Sequence, residues 1–179
     1  MTNYFIVPGL GGSGENHWQT HFEKSGKNFQ RIEQQNWDAP NIQEWAANID
    51  NVLSTYDTSK VILVGHSLGC LTIALWAKQY GRNIKGAFLV APPDTALLRE
   101  KVAIDLQDEI SNAIIHFPTL LVASTTDHWA SIEKAGSYAN NWGSQFINIG
   151  PAGHINEQSG HGAWHQGLEL LRSFDKKTV

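Results

Sequence analysis

The segment Gly65-His66-Ser67-Leu68-Gly69 carries the residue types and spacing of a reactive serine. The apolar run Lys60–Val64 before it predicts a strand, and Leu68–Tyr80 after it predicts a helix. A serine on a sharp strand-to-helix turn has an exposed hydroxyl, and side chains two residues before or after it would collide with neighbouring backbone. The Leu68 N–H would lie at a helix N-terminus, where free donors and the helix dipole stabilise an oxyanion. The pattern predicts that Ser67 is a nucleophile for acyl transfer.

Such a serine needs a general base, and the base needs a carboxylate that orients it. After a serine on this kind of turn, the acid comes next in the chain and the histidine last. Asp127 follows the fifth predicted strand, 60 positions after Ser67. The rival is Asp94, which follows the fourth strand and the pair Pro92-Pro93, but its position is typical of a helix N-cap. We therefore predict Asp127 as the acid.

Four histidines compete for the role of base. His154 follows the sixth predicted strand through the small residues 150–153, which let a loop carry the imidazole back over the serine. His161 and His165 also follow the acid, but both are further from the strand end. His66 is adjacent to the serine, and we expect it to be a packing or hydrogen-bonding neighbour that lines the pocket. We predict His154 as the base.

A glycine-rich turn, Gly9–Gly14, follows the first predicted strand. In a hydrolase such a turn supplies the second oxyanion donor, here the N–H of Leu10, which would act with that of Leu68. The turn also matches the Gly-x-Gly-x-x-Gly fingerprint of dinucleotide-binding proteins, with Glu33 near the spacing of a ribose-binding acid. A dinucleotide site is therefore an alternative. The ordered serine, acid and histidine favour the hydrolase interpretation, which requires no cofactor.

Other residues could contribute to a site. His17 and His21 are spaced to place two metal ligands on one helical face, but the segment between them lacks the glutamate of His-Glu-x-x-His. We expect both to pack or form hydrogen bonds, and we predict no metal. Trp18 and Trp129 are predicted to line the pocket, and Trp164 is a further candidate.

Short β-rich runs alternate with helical patterns along the chain. Strands are predicted at Tyr4–Pro8, Phe29–Gln34, Lys60–Val64, Ala87–Ala91, Thr119–Ala123 and Gln145–Ile149, and helices at Glu15–Ser25, 42–53, Leu68–Tyr80, within 94–112, at Ser131–Asn141 and from about Trp164 onward. Continuous apolar strands between amphipathic helices imply a sheet that is covered on both faces. We predict a three-layer α/β/α sandwich with six mostly parallel strands. Such sheets bind ligands at the carboxyl ends of their strands, where the three candidate side chains fall.

Composition narrows the class of protein. The chain has 179 residues, which fit a single domain, 1–179, and its 41% hydrophobic and 17% charged residues are ordinary for a globular protein. A net charge of −4 argues against nucleic acid or an anionic membrane as partner. The single cysteine, Cys70, is expected to be a buried packing residue, and it suits a reducing compartment. The N-terminal segment lacks the features of a signal peptide, so we expect a cytoplasmic protein, with no oligomeric state implied.

The chain resembles the small serine hydrolases similar to retinoblastoma-binding protein 9, its bacterial members in particular. The matching segments, spread over residues 8–164, are Pro8–Ser13, Asn16-His17-Trp18, Gly65–Gly69, Ser124–Asp127, Gly153–Asn156 and Ser159–Trp164. The resemblance implies a compact α/β-hydrolase without a cap domain, and Ser67, Asp127 and His154 as its triad. One departure is His128-Trp129, since proline commonly follows the acid in relatives; the change predicts an aromatic side chain at the pocket rim.

The expected function is hydrolysis of carboxylic esters through an acyl-enzyme, with thioesters and amides left open as substrates. The short chain between Ser67 and Asp127 leaves little room for a lid, so we expect a shallow pocket for small acyl groups. The main alternative is a binding protein of the same fold with little or no turnover, because a fold does not establish activity.

Overall fold

The computed structural model describes residues 1–104, 106 and 110–178. In that part of the chain, six strands form one sheet in the order β2-β1-β3-β4-β5-β6, and every neighbouring pair is parallel. The strands are β1 (Asn3–Val7), β2 (Phe29–Arg31), β3 (Val61–His66), β4 (Gly86–Val90), β5 (Thr119–Ala123) and β6 (Gln145–Asn148). The four inner strands are buried almost throughout, as their continuous apolar runs predict.

Helices cover both faces of this sheet. They are α1 (Trp18–Glu23), α2 (Ile42–Leu53), α3 (Leu68–Tyr80), α4 (Thr95–Val102), α5 (Ile132–Trp142) and α6 (His165–Lys177). Side chains of α2, α3, α4 and α5 pack with one face, which includes Phe5 and Leu63. Side chains of α1 and α6 pack with the other face, which includes Ile6 and Val64. The predicted three-layer α/β/α sandwich is therefore confirmed.

Local capping explains where two helices begin. Asn41 caps α2, because its Oδ1 accepts hydrogen bonds from the N–H groups of Gln43 and Glu44 at 3.1 and 3.4 Å. The Glu44 carboxylate accepts from the Asn41 side-chain amide at 2.9 Å, which is a variant of the capping box. Asp94 caps α4 by accepting from the Ala96 N–H at 2.9 Å. The rival candidate for the acid is thus a helix N-cap, as expected.

Several boundaries differ from the prediction. Helix α1 begins at Trp18 rather than at residue 15, because the His17 N–H donates to the Gly14 carbonyl in a turn and its Nδ1 then caps the helix. Strand β2 stops at Arg31, while β3 continues to His66 and so delivers Ser67 at its end. The short helix expected within 94–112 is α4, and residues 105 and 107–109 of that stretch lie outside the described part of the chain.

No helix in the described ranges combines the length and apolar character needed to span a bilayer.

Candidate active site

Ser67 occupies the turn between β3 and α3 with φ 52° and ψ −126°, a backbone conformation that non-glycine residues rarely adopt. A β-carbon on Gly69 would overlap the Val7 carbonyl oxygen, and one on Gly65 would lie 2.8 Å from Ile73 Cδ1 and 3.2 Å from the backbone nitrogen of Cys70. The two glycines therefore permit the close packing that the sequence pattern predicted for this turn.

The three predicted polar side chains meet above the sheet. His154 Nε2 lies 2.9 Å from Ser67 Oγ, and His154 Nδ1 lies 2.9 Å from both carboxylate oxygens of Asp127. A carboxylate can only accept, so Nδ1 carries a proton and donates it toward Asp127. In a neutral imidazole the Nε2 lone pair then faces the serine hydroxyl. The His154 and Asp127 side chains are only 6% and 4% exposed, so water competes little with this pair.

The loop that carries His154 is bound to the segment after β5. Ser124 Oγ accepts from the Ala152 N–H, and Thr126 Oγ1 accepts from the Gly153 N–H, both at 2.9 Å. Asp127 is held in turn by the Trp129 N–H, which donates to its Oδ1 at 2.8 Å. Sequence reasoning did not assign a role to Ser124 or Thr126, although the hydroxyl-rich segment before the acid could have signalled one.

His66 supports the same loop from beneath. Its Nε2–H donates to the backbone carbonyl of His154 at 3.0 Å, because a carbonyl can only accept. Burial, and then the neighbouring His17, hold the pKa of His66 well below its usual range, so the ring is neutral. His66 is also part of the lining of the cleft around Ser67.

His17 has a structural role in this arrangement. Its Nδ1 accepts from the Gln19 N–H at 3.2 Å, and its ring lies 4.7 Å from that of His66. Burial, followed by the positive charge of Arg31, lowers the pKa of His17 to about 3. Within the described residues, no group of three or more histidine, cysteine, aspartate or glutamate side chains is arranged to hold a metal ion.

The glycine-rich turn lies against the serine. A β-carbon on Gly9 would be 2.9 Å from Ser67 Cβ and 3.1 Å from the Leu68 nitrogen, so turn and elbow are in contact. The N–H groups of Leu10 and Leu68 donate no hydrogen bond to another described residue, which leaves both available to a ligand. Helix α1 begins four residues after Gly14, so the turn does not open directly into a helix as a dinucleotide fingerprint does.

A buried side-chain pair braces this turn, and sequence reasoning missed it. Ser13 Oγ donates to Gln19 Oε1 at 2.5 Å, and Gln19 Nε2 donates to the carbonyls of Val64 at 3.0 Å and Val7 at 3.3 Å. The turn is therefore tied to the ends of β1 and β3, next to Ser67.

Around Ser67 lies a cleft of about 390 Å³. Its lining includes His66 and Trp129, the two candidates for oxyanion donors Leu10 and Leu68, and also His17, Leu98, His128, Asn156, Glu157 and Gln158. His128 and Trp129 thus place aromatic rings beside the site, with ring centroids 5.8 and 6.2 Å from that of His154. Leu98 and residues 156–158 were not predicted to line the cleft.

The prediction for Trp18 is wrong. This indole is fully buried; its Nε1 donates to the Ile155 carbonyl at 2.8 Å, and its ring packs 5.4 Å from Trp164. Trp164 is also buried, and it does not line the cleft. Both tryptophans instead fill the core between the sheet and helices α1 and α6.

Comparisons with known proteins agree with this architecture. The chain matches the model of the serine hydrolase family over residues 4–173. A structure described as a YdeN-like hydrolase from Pectobacterium atrosepticum is 34% identical, with a TM-score of 0.86 over 100% of this chain and 93% of that one. No protein in the curated set matches the sequence.

More distant structures share the fold. The ydeN gene product of Bacillus subtilis is 19% identical, with a TM-score of 0.77 over 97% of this chain and 98% of that one. The esterase RhEst1 of a Rhodococcus species is 15% identical, with a TM-score of 0.71 over 99% and 91% of the two chains. Because the family model spans nearly the whole chain, the protein is a hydrolase of α/β-hydrolase fold and belongs to the serine hydrolase family.

Proposed function

We propose that this protein hydrolyses carboxylic esters, with Ser67 as nucleophile, His154 as general base and Asp127 as the carboxylate that orients the imidazole. One observation carries the proposal: hydrogen bonds of 2.9 Å connect Ser67 Oγ to His154 Nε2, and His154 Nδ1 to Asp127. A nucleophile bonded to a base that is itself oriented by a third group is the arrangement of covalent acyl transfer.

Acylation follows from these contacts. Ser67 Oγ attacks the carbonyl carbon of the ester while its proton passes to His154 Nε2. The resulting oxyanion accepts hydrogen bonds from the N–H groups of Leu10 and Leu68, and losing one such donor typically costs roughly 3 kcal/mol of barrier. The C–O bond to the alcohol then breaks, and the alcohol leaves with the proton from Nε2. Ser67 is now esterified.

Deacylation repeats the steps with water. A water molecule gives a proton to His154 Nε2 as its oxygen attacks the acyl carbon, and the same two N–H groups hold the second oxyanion. The bond to Ser67 Oγ breaks, the oxygen recovers the proton, and a carboxylic acid leaves. The reaction involves no oxidation or reduction, and it requires no cofactor.

The cellular setting is part of the same proposal. A small-molecule ester is the expected ligand, and the net charge of −4 argues against nucleic acid as a partner. The sole cysteine, Cys70, is buried, and its thiol donates to the Val90 carbonyl at 3.3 Å. A cysteine that serves only packing suits the reducing cytoplasm.

The test is covalent labelling with a fluorophosphonate probe, which modifies activated serines. We expect the native protein to be labelled, and to hydrolyse p-nitrophenyl acetate, whereas Ser67→Ala does neither. Ser173→Ala is the matched control, because Ser173 is exposed on α6 and does not line the cleft, and it should label normally. Failure of the well-folded native protein to label would contradict the proposal and favour a binding protein of this fold.

A further inference from the structure

A second, larger cavity lies beside the cleft. It is a groove of about 1130 Å³ between the start of α2, the last turns of α3 and the end of α4. Its lining is Leu10, Asp38, Ala39, Pro40, Asn41, Ile42, Gln43, Leu75, Lys78, Gln79, Val102, Ala103, Ile104, Leu106 and Ile110. We refer to this cavity as the α3 groove.

The floor of the α3 groove is apolar. Ile42, Leu75, Leu106 and Ile110 line it, and each is at most 6% exposed. The polar and charged side chains of the lining belong to exposed residues at the rim, where the amide of Gln79 donates to that of Gln43 and links α3 with α2. An apolar floor with a polar rim binds an apolar ligand whose length lies along the groove.

Two elements form walls of both cavities. Leu10 lines the cleft and the α3 groove, and its side chain is 36% exposed, which is unusual for a leucine in a well-packed turn. Helix α4 contributes Leu98 to the cleft and Val102 to the groove. The next residue of the turn, Gly11, donates its N–H to the Trp37 carbonyl at 2.9 Å, which ties the turn to the segment before α2. The groove therefore adjoins the site, with Leu10 and α4 at the boundary between the two cavities.

The direction of the groove follows from α3. This helix starts beside Ser67 and runs away from it, so Leu75 lies about 12 Å and Gln79 about 18 Å further along the helix axis, at 1.5 Å per residue. A ligand that occupies the groove from Leu10 to Gln79 is therefore extended along α3.

We propose that the α3 groove binds the acyl chain of the substrate, and that the chain is a hydrocarbon of medium length. The inference rests on the proposed function, because it takes Ser67 as the nucleophile that attacks the carbonyl carbon of the ester. The alcohol takes its proton from His154 Nε2, so it must leave on the side of the histidine loop. No described residue of that loop lines the groove, which leaves the groove to the acyl side.

This inference revises the expectation of small acyl groups. That expectation considered only the short segment between Ser67 and Asp127, which leaves little chain for a lid. The space for a longer acyl chain is supplied instead by the gap between α2, α3 and α4, where no lid is needed.

A series of p-nitrophenyl esters tests the inference on the native protein. We expect kcat/KM to rise from acetate through butyrate to octanoate, by about threefold for each methylene that the groove removes from water. A profile that is flat or falls from acetate to octanoate would overturn the inference and leave the proposed function intact. Hydrolysis of none of these esters, with no labelling of Ser67, would overturn both.

A blocked groove gives a second, independent measurement. Ala39 is exposed and lines the groove, so the indole of Ala39→Trp should obstruct the groove without disturbing the core. We expect the variant to lose at least about tenfold in kcat/KM for octanoate while its rate with acetate stays within about twofold of native. Ala96→Trp is the matched control, because Ala96 is exposed and lines neither cavity; it should keep the native ratio. Equal effects of Ala39→Trp on both esters would contradict the inference.

Discussion

Three glycines surround Ser67, and a β-carbon on any of them would come within 3 Å of a neighbouring atom. Gly65 in β3 and Gly69 in α3 flank the turn, and Gly9 approaches from the loop after β1. The strained backbone of Ser67 therefore depends on the absence of a side chain at each of these three glycines, as well as on the contacts that Ser67 makes. The short pattern around Ser67 could be read from the sequence, whereas the contact with Gly9 spans almost 60 positions.

Substitution of Gly9 tests this dependence. The β-carbon of Gly9→Ala would lie 2.9 Å from Ser67 Cβ and 3.0 Å from the His66 carbonyl oxygen, so turn and elbow must separate. We expect kcat/KM for p-nitrophenyl acetate to fall about a hundredfold, since displacements of about 1 Å have this effect on positioned groups.

Gly136→Ala is the control for that variant. Gly136 lies within α5, and its β-carbon would have no atom within 4 Å. This change should leave the rate unaltered and raise the free energy of unfolding by about 0.5–1 kcal/mol, because alanine favours a helix over glycine. If Gly9→Ala retained full activity, close contact between the turn and the serine would not matter for catalysis.

At the scale of elements, the loop after β6 must present His154 at a defined height above the sheet. The hydroxyls of Ser124 and Thr126, just after β5, accept hydrogen bonds from two backbone N–H groups of this loop. His66 donates a hydrogen bond to the backbone carbonyl of His154. Gly153 and Ile155 both have positive φ, at 58° and 48°, so the backbone is sharply turned on each side of the histidine. Neighbouring strand ends thus hold the base and the acid in one unit.

Thr126→Val removes one of these bonds. The Gly153 N–H would lose its partner, and we expect the free energy of unfolding to fall by about 1 kcal/mol. Because the histidine loop is loosened while the cleft lining is unchanged, kcat should fall about tenfold with KM nearly constant.

Thr125→Val makes the same chemical change one residue earlier, at an exposed side chain for which the structure gives no hydrogen bond among the described residues. Stability within about 0.5 kcal/mol of native and an unchanged kcat are expected, as for an ordinary surface position. A similar loss of kcat in both variants would mean that the hydroxyl of Thr126 does not position His154.

At the scale of the whole molecule, buried imidazoles make folding sensitive to acid. Burial lowers the pKa of His17 to about 3 and that of His66 well below its usual range, whereas both titrate near 6.5 in the unfolded chain. Between pH 6.5 and 3 the unfolded state therefore binds protons that the folded state does not. The free energy of unfolding is highest above pH 6.5 and falls as the pH is lowered through this range.

The contribution of His17 to this loss of stability at low pH can be measured separately. His17→Asn keeps a good N-cap for α1 and removes the titrating group. At pH 5, which is 1.5 units below the unfolded pKa, His17 alone should cost roughly 2 kcal/mol. Urea unfolding at pH 7 and pH 5 should therefore show a loss of stability that is smaller by about that amount in the variant. Equal losses in both proteins would mean that His17 is protonated in the folded state.

Much of the fold could be predicted because its determinants are local. Apolar runs such as Thr119–Ala123 define buried strands, and Asn41 marks the start of α2 through bonds to its own neighbours. The order of Ser67, Asp127 and His154 after β3, β5 and β6 could likewise be predicted, since parallel strands bring their carboxyl ends to one edge. Their catalytic roles stay predictions until the labelling experiment is done.

Other properties were decided only by tertiary structure, because they depend on which distant surfaces meet. Trp18 was expected at the pocket, yet its indole packs against Trp164 and donates a hydrogen bond to the carbonyl of Ile155, which is distant in sequence. The α3 groove arises where three helices leave a gap, which no spacing in the sequence encodes. The local residue pattern is enough to place a serine on a sharp turn at a strand end. The packing of the helices around it determined how much room an acyl chain has beside that serine.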